Sequence, residues 1–120
     1  MKPSPEFEAD VRFLAREEGG RQDLPVQGSY RPDVHWDADP SDTVWMIHPR
    51  FLGTDGAELP GGTEIPQVCK AHFYLISTHV QDQLHQQWLR NGARFHISEG
   101  RHRVAAGVVT KVLHSLDSKV

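Results

Sequence analysis

Between Phe7 and Phe13 apolar and polar side chains alternate one for one. Phe7, Ala9, Val11 and Phe13 fall on one side, and Glu8, Asp10 and Arg12 on the other. A period of two is the mark of a strand with one buried face. The next segment, EEGGRQDLPVQGS, carries Gly19-Gly20, Pro25 and Gly28 and reads as a loop. YRPDVHW predicts a short strand, which Pro32 confines to a sheet edge, a strand start or an irregular position. ADPSD ends it, and TVWMIH predicts another strand. From Pro49 to Pro66 the chain is turn-rich, with Asp55-Gly56 and Pro60-Gly61-Gly62 as the strongest turn signals.

VCKAHFYLIS has apolar residues on both faces and predicts a strand buried on both sides. A helix is expected over 78–90. Thr78 and Gln81 have capping-box spacing, Val80, Leu84 and Trp88 repeat every four residues, and Asn91-Gly92 suits a stop. ARFHIS and RVAAGVVTKVL supply the last strands, joined by a tight turn at Glu99-Gly100. No internal repeat or low-complexity tract interrupts the pattern. Six strands with one short helix predict a small antiparallel barrel or sandwich, a single domain over 1–120.

Composition narrows the class. A chain of 120 residues builds one core, and 38% hydrophobic with 24% charged residues is the balance of a folded domain. No apolar run approaches the roughly 20 residues of a membrane span, and MKPSPEFEAD lacks a signal-like apolar core. A lone cysteine, Cys69, forms no internal disulfide, so a reducing, cytoplasmic setting is expected. The net charge of −3 counts against autonomous nucleic-acid binding, whose affinity comes largely from neutralised phosphate. The charges are unevenly spread: Arg90, Arg94, Arg101, Arg103 and Lys111 fall late, and Asp33, Asp37, Asp39 and Asp42 in the middle.

Candidate chemistry is sparse. The eight histidines, His35, His48, His72, His79, His85, His96, His102 and His114, form no H-x-x-x-H, H-E-x-x-H or zinc-spaced Cys/His pattern. They read as surface and edge-strand residues, and no metal site is expected. Cys69 reads as a buried structural thiol, although His72 is near in sequence. Glu17-Glu18 and Asp37/Asp39 read as solvated loop carboxylates. The phosphate-loop pattern G-x-x-x-x-G-K-[ST] is absent, so Gly107 inside an apolar strand is expected to permit close packing or a bulge. Trp36, Trp45, Trp88, Tyr30 and Tyr74 are expected to anchor the core more than to stack bases.

Three segments, KPSPEFEADVRFLAREEGGRQDLPVQGSYRPDV, ELPGG and ARFHISEGRHRVAAGVVTKVL, resemble the C-terminal β-barrel domain of bacterial elongation factor Tu. The family's motifs run approximately K-P-x-x-x-F-E-A-E-V, E-E-G-G-R, G-Y-R-P-Q-F, I-E-L-P-E-G and L-R-F-A-I-R-E-G-G-R-T-V-G-A-G-V-V-T-K. The resemblance extends from Lys2 to Leu113, specific at both ends and weak in the middle. It implies an all-β fold, a closed six-stranded antiparallel β-barrel, into which the helix expected from the periodicity is inserted as one short addition. The family's GTP-binding domain and second barrel have no counterpart in this sequence, so the resemblance implies a free-standing copy that binds no GTP.

In that family the domain contacts the T stem of aminoacyl-tRNA and helps bind the nucleotide-exchange factor and the GTP domain. By position, Arg21 matches the arginine of E-E-G-G-R, and Glu99 and Gly100 match the E-G of the last turn, where backbone approaches RNA. The charges there differ from the family's. Asp33 replaces the glutamine of R-P-Q, the following loop is DADPSDT, and Arg101 and His102 replace glycine and arginine, with Arg103 one place later. The stretch 37–57 is about ten residues longer than in the family, and 78–91 adds roughly two helical turns.

The expectation is a non-catalytic binding module with no cofactor, engaging a translation-associated protein. The alternative is weak tRNA binding through a basic face. The contact residues are Arg21, Arg94, Glu99, Gly100, Arg101 and Arg103. An enzyme using the histidines and Cys69 ranks last, because side chains fill a closed barrel of six strands.

Overall fold

The computed structural model describes residues 4–76 and 78–113, without the side chain of Thr78; His114 lies outside it. Six strands form one antiparallel sheet: β1 (Phe7–Phe13), β2 (Asp33–Trp36), β3 (Ile47–Phe51), β4 (Val68–Leu75), β5 (Arg94–Glu99) and β6 (His102–Val112). Their order across the sheet is β2-β5-β6-β1-β4-β3. A 3₁₀ turn (Thr78–Val80) leads into the helix α1 (Gln81–Gln87) between β4 and β5. No described helix is long and apolar enough to cross a membrane.

The alternation at the start of the chain becomes the centre of the sheet. Phe7, Ala9, Val11 and Phe13 are all buried, and β1 pairs with β4 and β6 on either side. Phe7 stacks on Phe73 across the β1–β4 pair, with centroids 4.7 Å apart. Phe95 and Trp36 meet the stack edge-on or tilted. Gly107 sits opposite Phe95 in the β5–β6 ladder, where a Cβ would lie 2.2 Å from Phe95 Cζ. Its role is the expected one: it leaves room for a ring that any side chain would displace.

β4 departs from the two-sided burial its composition suggested. Cys69, Ala71 and Phe73 point inward, whereas Val68, Lys70, His72 and Tyr74 lie on the other face, exposed or half-buried. Val68, an exposed apolar residue, misleads the pattern. The strand expected at TVWMIH lies further along, because β3 runs through Pro49 to Phe51, inside the stretch read as turns. An edge position tolerates the proline, since a missing N–H costs no interior ladder bond.

The expected closed barrel is an open, curled sheet. Its two edges, β2 and β3, are not joined by a ladder; Trp45 pairs with Val34 in an isolated bridge. The outer edge of β3 is already occupied at its other end. The Gln27 side chain is buried there, where Oε1 accepts from the Phe51 N–H and Nε2 donates to the Phe51 and Leu59 carbonyls. The Leu59 N–H also donates to the Phe51 carbonyl at 2.9 Å, so backbone and side chain together cover groups that another strand would have bonded. A loop with one glutamine therefore finishes this edge.

The helix is shorter than its periodicity suggests, ending at Gln87. Leu84 is buried, and Val80 and Trp88 pack against the core, as the four-residue repeat requires. Val80 occupies the N-cap position, and Gln81 Nε2 donates to the Glu6 carboxylate at 3.0 Å; the Thr78 half of the expected capping box lies outside the described side chains.

Candidate functional site

The turn at Gly100-Arg101 joins β5 to β6, and the loop after β1 packs against it. Glu18 starts that loop by accepting the Ala15 N–H at 2.8 Å and pairing with Arg12. The chain then folds so tightly that a Cβ at Gly20 would sit 2.0 Å from the Leu14 carbonyl oxygen. This fold aims Arg21 at β5, where Nη1 donates to Glu99 Oε2, and Nε to the Asp23 carbonyl at 2.8 Å. Tyr30 donates its hydroxyl to the same Glu99 oxygen at 2.8 Å, and the Arg21 guanidinium lies 5.5 Å from the Tyr30 ring centroid. Burial, then the Glu99 carboxylate, raises the Tyr30 phenol well above its ordinary pKa. His102 Nε2 hydrogen-bonds the Gly19 carbonyl and ties loop to turn from the other side.

The six sequence-selected residues thus separate. Arg21 and Glu99 meet, with Gly100 beside them in the turn. Arg101 is exposed next to it. Arg103 instead places Nη2 3.0 Å from His96 Nδ1. Arg94 lies at the opposite end of β5, where it borders an open groove of 470 Å³ with Trp36, Asp37, Ala38, Trp88, Arg90 and Ala93. The Trp36 and Trp88 indole N–H groups are buried with no acceptor among the described residues.

A second polar cluster forms where β2 pairs with β5. The register sets His35 directly opposite His96, and their rings stack with centroids 4.8 Å apart and planes 3° from parallel. Asp42, from the loop after β2, places Oδ1 3.0 Å from His35 Nδ1 and 3.7 Å from His96 Nε2. The outer nitrogens are held too: His35 Nε2 lies 2.9 Å from Ser98 Oγ, and His96 Nδ1 is 2.9 Å from Asp37 Oδ1. The DADPSDT loop is shaped by Asp39, which accepts from Ser41 N–H, Ser41 Oγ and Thr43 N–H. Those bonds hold the Asp39 carboxyl below its ordinary pKa. Asp42, with φ of 54°, is the one described non-glycine residue in the left-handed region.

Sequence reasoning read these two histidines as unconnected. No spacing rule relates residues on two different strands; the signal is the pairing register, which appears once Asp33 is set against Ser98. The other reagents are not assembled. Cys69 points inward and donates to the Leu52 carbonyl, and burial pushes its thiol pKa up, the reverse of an activated nucleophile. His72, on the opposite face of β4, pairs with Glu8. No protein-family model matches the chain.

Proposed function

We propose that this domain is a non-catalytic binding module of the elongation factor Tu C-terminal barrel type, engaging a translation-associated protein. The observation that carries the choice of partner is the engagement of Arg21. In the motif that resembles an RNA contact, this cation is neutralised by Glu99 and rests on Tyr30. Arg103 is likewise turned toward His96, beside Asp37. A phosphate backbone arriving at this face meets Asp33, Asp37, Asp42 and Glu99 against the exposed Arg101 and an Arg103 turned toward His96, and like charges repel it. The groove between Trp36 and Trp88 suits a protein better. It offers aromatic walls and the cations Arg90 and Arg94 to an acidic side chain.

The test titrates the purified chain against three probes: the elongation factor's nucleotide-exchange factor, its isolated GTP-binding domain, and aminoacyl-tRNA. Calorimetry is expected to show saturable binding to one of the proteins, lost on Arg94→Glu, with no tRNA shift in an electrophoretic assay at low salt. A tRNA shift that weakens with salt and disappears on Arg101→Glu would establish the RNA reading instead. Silence from all three probes rejects the proposal.

A further inference from the structure

We infer that His35, His96 and Asp42 form a binding site for one divalent transition ion of the zinc class. Three potential ligand atoms, one imidazole nitrogen from each histidine and a carboxylate oxygen, lie within 4.8 Å of one another. Two imidazoles with one carboxylate is a donor set suited to zinc, and three protein ligands leave a coordination position for water. Asp42 stands at the surface with its side chain 68% exposed, so that position and the entry path face solvent. The rings behind it are held as ligands require, because each outer nitrogen has an oxygen partner: Ser98 Oγ for His35 and the Asp37 carboxylate for His96.

Proton placement makes the inference specific. Without an ion, His35 Nδ1–H donates to Asp42. An ion takes the place of that proton, and Nε2–H then donates to Ser98, whose hydroxyl serves in either sense. His96 Nδ1 faces both Asp37 Oδ1 and Arg103 Nη2 and cannot satisfy both as one tautomer. Accepting from Arg103 puts the ring proton on Nε2 and blocks coordination; donating to Asp37 frees Nε2. The ion selects the second arrangement. The two parallel rings must also tilt toward each other, and His96, the more exposed, is the one to turn.

The three ligands include neither Arg21 nor a groove residue, and Asp37, which lines the groove, only orients His96, so the ion titration stands apart from the binding-module reading. The full chain, with any affinity tag removed, is titrated with Zn²⁺, and with Co²⁺ as a spectroscopic probe. One equivalent should bind, with the visible bands of low-coordinate Co²⁺. Asp37→Asn should weaken binding about 10-fold. His96→Gln should weaken it more, as should Asp42→Asn, which keeps a residue tolerant of the left-handed region. His48→Gln should leave it unchanged. On the unmutated chain, long-range ¹H–¹⁵N spectra should show Zn²⁺ moving the His35 proton from Nδ1 to Nε2. The proposal fails if no equivalent binds, if the His35 tautomer does not change, or if folded His96→Gln and Asp42→Asn bind as before.

Discussion

Strand β5 carries a polar cluster at each of two levels, and the two differ in how their charges are settled. At Glu99 one carboxylate faces one guanidinium and one phenol, and all three are partly withdrawn from water. At His96 one exposed carboxylate faces two imidazoles that cannot both present a proton to it in every state. The first set is complete without any visitor and behaves as structure. The second has more ligand atoms than protons and behaves as a site.

Matched amide substitutions sharpen that contrast. Glu99→Gln removes the charge that Arg21 is paired with, at a position whose side chain is only 33% exposed. A charge-assisted bond there, discounted for solvent screening, is worth about 1–2 kcal/mol. Asp42→Asn alters an exposed carboxylate and should stay within about 0.5 kcal/mol in metal-free buffer. Urea unfolding of the two variants checks the pair. Equal losses would erase the distinction between structure and site.

The two clusters were unequally legible in the sequence. Phe7 to Phe13 announced the central strand because a period of two leaves little else to build, and Gly107 announced a close approach for the same local reason. The Arg21 and Glu99 positions stood out through their motifs, but their mutual pairing did not, since it depends on how the loop at Gly20 folds back. His35 and His96 were visible as residues and invisible as neighbours. The open edge is not legible because the far end of β3 is occupied by Gln27 and by the backbone of Leu59, which no hydrophobic alternation marks.

Tyr30→Phe tests the Glu99 cluster more gently, since Arg21 still holds the carboxylate. The lost hydroxyl bond should cost about 1 kcal/mol at neutral pH. The pH dependence carries the sign. An unfolded phenol releases its proton near pH 10, whereas burial and Glu99 keep the folded Tyr30 protonated well beyond it. Above pH 10 the folded state therefore binds more protons than the unfolded one, and stability falls as pH rises. Tyr74, raised to about 12 by burial and then by Glu58, adds a loss of the same sign. Tyr30→Phe should flatten the alkaline decline without abolishing it. An unchanged slope would mean that Tyr30 is not held by Glu99.

The Arg12–Glu18 pair repeats the arginine–carboxylate contact of Arg21 and Glu99 with burial taken away. Both Arg12 nitrogens reach Glu18, at 3.0 and 3.1 Å, and the Ala15 N–H adds a third donor. The Arg12 bond first, then Ala15, lowers the Glu18 carboxyl to about 2. Its unfolded value is about 4.5, so the pair's contribution is present above that pH and is lost as pH falls through about 2. Carbon-detected titration should place Glu18 below every unpaired glutamate, and Arg12→Gln should move it back toward the ordinary range. Because the pair is solvent-exposed, raising salt should do part of what the substitution does. The same salt should leave the Arg21–Glu99 contact largely intact. If salt weakens both alike, partial burial is not what separates a structural pair from a surface one in this protein.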